Sequence, residues 1–224
     1  PKKALMEART LIAECIGAQP DEIYFTSGGT ESDNWAIKGI AEKGKKHHTI
    51  ATQIEHHAIL HTGEYLQKRG YEVTYLDVDE NGIVSPEAVE AAIRPDTILV
   101  SVMFANNEIG SIQPIKEIGR IAREHGILFH TDCVQAAGCH PIDVEKIGCD
   151  FLSLSSHKIH GPKGVGTLFA KDKSVLTPII FGGAEQEFGL RAGTENVAGI
   201  VGFGEACEIS SKSLHEDCIW VSTL

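Results

Sequence analysis

The chain has 224 residues, 42% hydrophobic, 23% charged and 6% aromatic, which is ordinary globular material with enough apolar content for one large core. Lys and Arg number 20 against 31 Asp and Glu, a formal charge of −11, and the basic clusters Lys2-Lys3 and Lys45-Lys46 are too short to make a nucleic-acid surface. No apolar stretch approaches the ~18 residues that span a bilayer, and the six cysteines show neither a CxxC pair nor a metal-finger spacing, so reduced thiols in a cytoplasm-like compartment are the simplest reading.

In chain order, the first residues read as a helix already under way, through Ile16, with no capping signal before it. Apolar β-rich runs then alternate with helical patterns. The run Ile23-Tyr24-Phe25-Thr26 precedes a helix near 31–43, and a strand at 49–54 precedes one near 57–69. Val73-Thr74-Tyr75-Leu76 leads to the Asp79-Glu80-Asn81-Gly82 turn and a helix opened by Ser85-Pro86-Glu87, a cap residue with proline at the first helical position. Residues 97–102 read as a fully buried strand, followed by a helix near 115–125, strands at 127–131, 151–155 and 165–170, and a last helix from about 195 to 211. Such βαβ alternation specifies an α/β fold, a three-layer, mostly parallel sheet with helices on both faces. Both ends read as cut, so the expectation is a piece of a longer polypeptide: a large domain over 1–212, incomplete at its N-terminus, with 213–224 starting the connection to a further small domain.

Chemistry concentrates where apolar runs stop. Ser155-Ser156-His157-Lys158 closes the run Phe151-Leu152-Ser153-Leu154, and an amine where a buried strand meets a loop loses its proton more readily than a solvated one, which suits a Schiff-base lysine. Ser27-Gly28-Gly29-Thr30 joins a strand to a helix, a geometry that points N–H groups at an anion; it reads equally as a glycine turn with Thr30 as cap, and it lacks the lysine of a nucleotide-binding P-loop. Glu55-His56-His57 sits at the carboxyl edge of the sheet, where an imidazole can stack on an aromatic ligand; the alternative is a solvated histidine pair, as for His47-His48 and His61, and no zinc-ligand spacing links these histidines. Asn106-Asn107 places carboxamides at the same edge, or forms a helix-entry loop. Asp132, with Gln135 three residues on, either protonates a pyridine nitrogen or caps a turn. The segment 182–194 is glycine-rich, carries Arg191 and ends in a Thr194-Glu195 helix start; it reads as a loop reaching a second subunit or as a flexible crossover. Each bland reading stands alone, yet polar clusters at successive strand ends, all of the types one phosphorylated aldehyde cofactor needs, are improbable by accident.

The stretches FTSGGTESDNWAIKG, EHHAIL, NNEIGSIQPI, HTDCVQAAG, SSHKIHGPKGVG and GLRAGTENVAGIVGFGEA together make the chain resemble the cysteine desulfurases of the NifS/IscS type, in the class V aminotransferase group of fold-type I pyridoxal-phosphate enzymes. The resemblance implies pyridoxal 5'-phosphate as cofactor, bound covalently by Lys158, with Asp132 on the pyridine nitrogen, His56 stacked on the ring, and Gln135 with Asn107 on the ring hydroxyl or substrate. Gly29, Thr30, Ser155 and His157 would hold the phosphate, and Thr194 would reach the phosphate of the second subunit of a homodimer. It further implies conversion of L-cysteine to L-alanine, with sulfur passed first to an enzyme cysteine and then to an acceptor protein such as an iron–sulfur scaffold, in the cytoplasm or, given a targeting segment outside this sequence, in an organelle. None of the six cysteines matches the family's sulfur-accepting one, and Cys133, Cys139 and Cys149 read as packing residues. A selenocysteine lyase or other β-lyase of the same group shares all these cofactor residues, and a catalytically incompetent scaffold keeps the same core. A nucleotide-binding α/β protein rests only on Ser27-Gly28-Gly29-Thr30.

Overall fold

The computed structural model describes residues 1–43, 47–183 and 185–223; Lys45-Lys46, and Ala184 of the glycine-rich segment, lie outside the described residues. Among them, seven strands form one sheet in the order β1-β7-β6-β5-β4-β2-β3: β1 (Ile23–Thr26), β2 (His48–Thr52), β3 (Glu72–Leu76), β4 (Thr97–Ser101), β5 (Leu128–Asp132), β6 (Phe151–Ser155) and β7 (Gly166–Ala170). The β6–β5–β4–β2–β3 pairings are all parallel, whereas β7 runs antiparallel to both neighbours, β6 and β1. The expected mostly parallel sheet is present, with β7 as its exception. The cause is the short 156–165 link, since a parallel return needs a crossover of a dozen or more residues.

Helices cover both faces because the strand side chains alternate. Phe25, Ile50, Val100, Phe129, Leu152 and Phe169 join one core cluster with α1 (Lys2–Ile16), α4 (Pro86–Ala92), α5 (Ile115–Glu124), α6 (Val144–Ile147) and α7 (Val197–Ser222). Tyr24, Ala51, Leu99, Phe151 and Leu168 point the other way, into a second cluster under α2 (Gly29–Ala41) and α3 (His57–Gln67). The period-2 pattern of each strand thus feeds two cores, and burying each large side chain stabilises the fold by roughly 1.5–3 kcal/mol. Trp35 of α2 is fully buried against Tyr24, edge to face at 5.7 Å, and its indole N–H donates to the Thr177 carbonyl at 3.0 Å.

Several local expectations are corrected. His48 belongs to β2 rather than to a solvated loop: it is fully buried, with Nδ1 2.8 Å from the Thr97 hydroxyl and Nε2 2.9 Å from that of Thr74. The last helix begins at Val197, where the Asn196 side chain, not Thr194, accepts the Gly199 N–H at 3.1 Å, and it runs to Ser222 because nothing after 211 breaks it. No helix of the described residues is long and apolar enough to cross a membrane.

Candidate active site

Strands β1, β2, β4, β5 and β6 all point the same way, and their carboxyl ends border one cavity of about 300 Å³. This is the edge at which open α/β sheets accept ligands. From the end of β1 come Gly29 and Thr30; from β2, His56; from β4, Met103 and Asn107; from β5, Asp132 and Gln135; from β6, Ser155, His157 and Lys158. Nine of the ten residues singled out in the sequence therefore line one space. The tenth, Thr194, borders a separate pocket with Ser27, Glu187 and Arg191.

Each side chain is placed by its local structure. α2 starts at Gly29 with Gly28 as its cap, so Thr30 lies in the first turn instead of capping it, and the first N–H groups of a thirteen-residue helix face the cavity rim. Gly29 lets α2 and the β5 loop approach closely: a Cβ would come within 2.7 Å of Val134 Cγ2, so one of the two would have to shift. Gly166 serves the same edge from β7, since a Cβ would lie 2.7 Å from the Gly28 Cα and force the turn away. His56 caps α3, its Nδ1 accepting the Ala58 N–H at 3.1 Å, which fixes the ring. Asp132 makes the turn contact weighed for it: Oδ1 accepts the Val134 N–H at 2.8 Å, and the residue also lies on the cavity wall. The Ser155 hydroxyl lies 2.9 Å from His157 Nδ1. Lys158 follows in a short 3-10 turn and is exposed, so the strand end does not desolvate it as the sequence suggests.

Of the two carboxamides, only Asn107 reaches the cavity. Asn106 is buried in the loop, its amide donating to the Ile54 carbonyl at 2.8 Å and its oxygen accepting the N–H groups of Glu108 and Ile109. His57 stacks on His61 at 5.1 Å, outside the cavity. Cys133 and Cys149 are buried and burial pushes both thiols up, as packing residues require; Cys139 is exposed, which corrects its packing assignment. Among the described residues no group of three or more His, Cys, Asp or Glu is placed to hold a metal ion.

Residues 2–220 match the family Aminotransferase class-V. The chain belongs to that family. It is 58% identical over 219 residues to a cysteine desulfurase IscS of Methanosarcina thermophila, an alignment covering 96% of this chain and 54% of that protein. Among solved structures it is similar to a NifS-like protein (TM-score 0.93, 44% identity, 96% of this chain and 60% of that one). It is also similar to SspA in complex with cysteine (TM-score 0.90, 47% identity, 92% and 60%). The chain spans about half the length of the curated relatives it matches.

This class-V aminotransferase chain also holds polar groups that the sequence reading passed over. On the α2 face of the sheet, Ser101, His130 and Ser153 occupy three adjacent strands: Ser101 Oγ lies 2.9 Å from His130 Nδ1, and Ser153 Oγ 3.0 Å from His130 Nε2. Burial drives the His130 pKa down to about 3, so the ring is neutral. Asp33 of α2 sits over this row, 1% exposed and on the cavity wall, with Oδ1 3.7 Å from His130 Nε2. Behind Met103, Glu55 is buried, accepting from the Thr52 hydroxyl at 2.5 Å and the Met103 N–H at 3.0 Å; burial still lifts its pKa to about 8. Burial also raises Asp132, against the opposing pull of the Val134 N–H, His56 and Lys158. The signal available in the sequence was a polar residue on the α2 face of each of three otherwise apolar strands, at alternate positions in β5 (His130, Asp132) and β6 (Ser153, Ser155) and at the end of β4 (Ser101).

Proposed function

We propose that this chain forms the pyridoxal-phosphate site of a cysteine desulfurase, converting L-cysteine to L-alanine with transfer of sulfur to an enzyme cysteine thiol. The observation that carries the reading is the convergence of Lys158, Asp132, His56 and a hydroxyl–imidazole–helix N-terminus cluster on one cavity. The donor set fits the group. Thr30, Ser155, His157 and the first N–H groups of α2 suit a phosphate, and the Asp132 carboxyl, given only one backbone donor, retains lone pairs for a ring N–H. Lys158 would hold the aldehyde carbon, His56 would lie on the ring face, and Asn107 and Gln135 would contact the ring hydroxyl or the substrate. The cofactor, once bound, supplies an electron sink for the substrate Cα carbanion.

The chain's own residues then have defined tasks. Asp132 holds a proton on the ring nitrogen, because a positive partner brings a buried carboxyl back to its charged form. His56, fixed by its bond to Ala58, keeps the ring plane in register. Lys158, exposed at the rim, is free to accept and return a proton at Nζ beside the substrate. The sulfur then moves to a thiol: the substrate Cβ–S bond breaks, an S–S bond forms to the enzyme cysteine, and alanine leaves after protonation at Cβ.

Further parts of the proposal concern the protein beyond this cavity. The sulfur-accepting cysteine lies in the portion of the relatives' length that this chain does not span, and residues 213–224 begin the connection to it. Thr194, outside its own chain's cavity, completes the phosphate site of a second copy in a homodimer. The final sulfur acceptor is a protein such as an iron–sulfur scaffold, and the compartment is cytoplasmic. The test is borohydride reduction of the protein with pyridoxal phosphate, followed by peptide mapping. A phosphopyridoxyl group on Lys158, absent from Lys158→Ala, is expected; an adduct that persists in Lys158→Ala overturns the assignment. Alanine formation by the full-length protein from cysteine, compared with selenocysteine, then tests the substrate.

A further inference from the structure

Two carboxyl groups, Asp33 and Asp132, share the wall of the candidate cavity, and both are buried, at 1% and 5% exposure. They come from different elements, α2 and β5, and only Asp132 has a recognisable use. Asp33 Oδ1 has no hydrogen-bond partner, although Asp33 is almost wholly removed from solvent. An ionised carboxylate so placed forfeits several kcal/mol of hydration, whereas a protonated one loses far less. Burial penalises the charge on both carboxyls and each opposes ionisation of the other, so one of them keeps a proton.

The surroundings decide which. The groups near Asp132 that favour its anion include the Val134 N–H and the Lys158 amine. The groups that bear on Asp33 are different. Asp132 and Glu55 present negative charge or none, His130 beneath it is neutral, and the Ser153 hydroxyl bonds it from β6. No cation acts on it among the described interactions, and burial with the charge of Asp132 lifts its pKa far above the carboxylate range. Ser101, His130 and Ser153 form one hydrogen-bonded row beneath Asp33, and Asp33 Oδ1 keeps no partner in it.

We propose that Asp33 is a positioning residue kept as a neutral carboxylic acid, which confines the negative charge of the cavity wall to Asp132 and so aims it at the cofactor's ring nitrogen. The role in aiming rests on the pyridoxal-phosphate reading above; the protonation state of Asp33 does not. Its neutral form leaves Asp132 the sole anionic acceptor for the ring proton.

The experiment uses the full-length protein and begins without cofactor. The infrared difference spectrum between wild type and Asp33→Asn at neutral pH should contain the carbonyl stretch of a protonated carboxyl, lost only in the alkaline range. A difference spectrum with carboxylate bands alone overturns the proposal. Should Asp33→Asn not fold, wild type with 13C-labelled aspartate and its carboxyl resonances assigned through the backbone gives the same decision: Asp33 still protonated at neutral pH supports it, Asp33 ionised overturns it. With pyridoxal phosphate, Asp33→Ala should weaken binding about tenfold, as the loss of one buried polar partner does, and Asp33→Asn should restore most of that loss. The Asn variant should also lack one alkaline transition in the bound cofactor's absorbance that wild type shows. Equal loss in Ala and Asn, or an unchanged pH profile in Asn, overturns the positioning role. A protonated carboxyl in a protein that binds no pyridoxal phosphate would instead sink the function proposed above and leave the charge state of Asp33 standing.

Discussion

The candidate cavity and the 182–194 segment are both built from loops beyond strand ends, yet they are held in opposite ways. In the cavity, each group is fixed within a few residues: His56 by Ala58, Asp132 by Val134, Ser155 by His157. The glycine-rich segment is held by partners far away in sequence. Arg9 of α1 makes two bonds to Glu187, at 3.0 and 2.7 Å, and donates as well to the Ile23 carbonyl, while Glu187 also accepts the Phe25 N–H at 2.8 Å. Arg191 pairs with Glu31 at the start of α2. Chemistry that must keep its geometry sits on local anchors, and the segment beside it hangs from ion pairs.

Breaking the distant anchor should have the largest effect on stability. Arg9→Met strands the buried Glu187 carboxylate, whose pair is 8% and 4% exposed, and should cost about 3–5 kcal/mol in chemical denaturation. Replacing both partners with apolar residues should recover much of that loss. Glu187 and Phe188 also hold positive φ, 42° and 57°, a strain that persists only while the surroundings enforce it, so the Arg9 variant should lose protection from proteolysis first at 186–189.

An intermediate effect is expected where the local anchor is tightest. Gly29→Ala drives a methyl against Val134 Cγ2, and overpacking of about 1–3 kcal/mol should appear as weaker pyridoxal-phosphate binding measured by absorbance titration. If Gly29→Ala binds as wild type does, the cradle at the α2 N-terminus is not the phosphate site.

Glu55 gives a pH signature. Its folded-state pKa of about 8 lies above the ordinary 4.5, so its contribution to stability is full below about 4.5 and is lost as pH climbs through that window to about 8. Glu55→Gln, which keeps an acceptor for the Met103 N–H, should remove this slope from a plot of unfolding free energy against pH; an unaltered slope would place the titration elsewhere. The smallest change is expected at the partly buried Arg191–Glu31 pair, where Arg191→Lys keeps the charge opposite Glu31 but not the forked geometry, for under about 1 kcal/mol.

The same contrast explains what the sequence disclosed. Apolar runs such as Phe151-Leu152-Ser153-Leu154 announced their strands, and polar clusters at their ends announced the cavity, because strand and loop are contiguous in the chain. The antiparallel β7 was not legible, since its apolar run has no direction; only the shortness of the link before it carries that information. The Ser101–His130–Ser153 row and Asp33 above it were hidden for another reason. Sheet register joins three strands there, and no single stretch of sequence contains more than one member. Thr194 was read as a helix start, but Asn196 supplies the cap, a choice between neighbouring polar residues that backbone geometry alone makes.

The pairing of β1 with β7 sets a timetable for synthesis. Among the described residues, β1 has β7 as its sole strand partner, about 140 residues later in the chain. At roughly 5–20 residues per second, the nascent Ile23-Tyr24-Phe25-Thr26 waits on the order of ten seconds for that partner to emerge. During the delay a β-prone apolar edge stands open to any neighbouring chain, so chaperone demand on the ribosome should fall on this early segment, although in the finished molecule all four of its residues are buried.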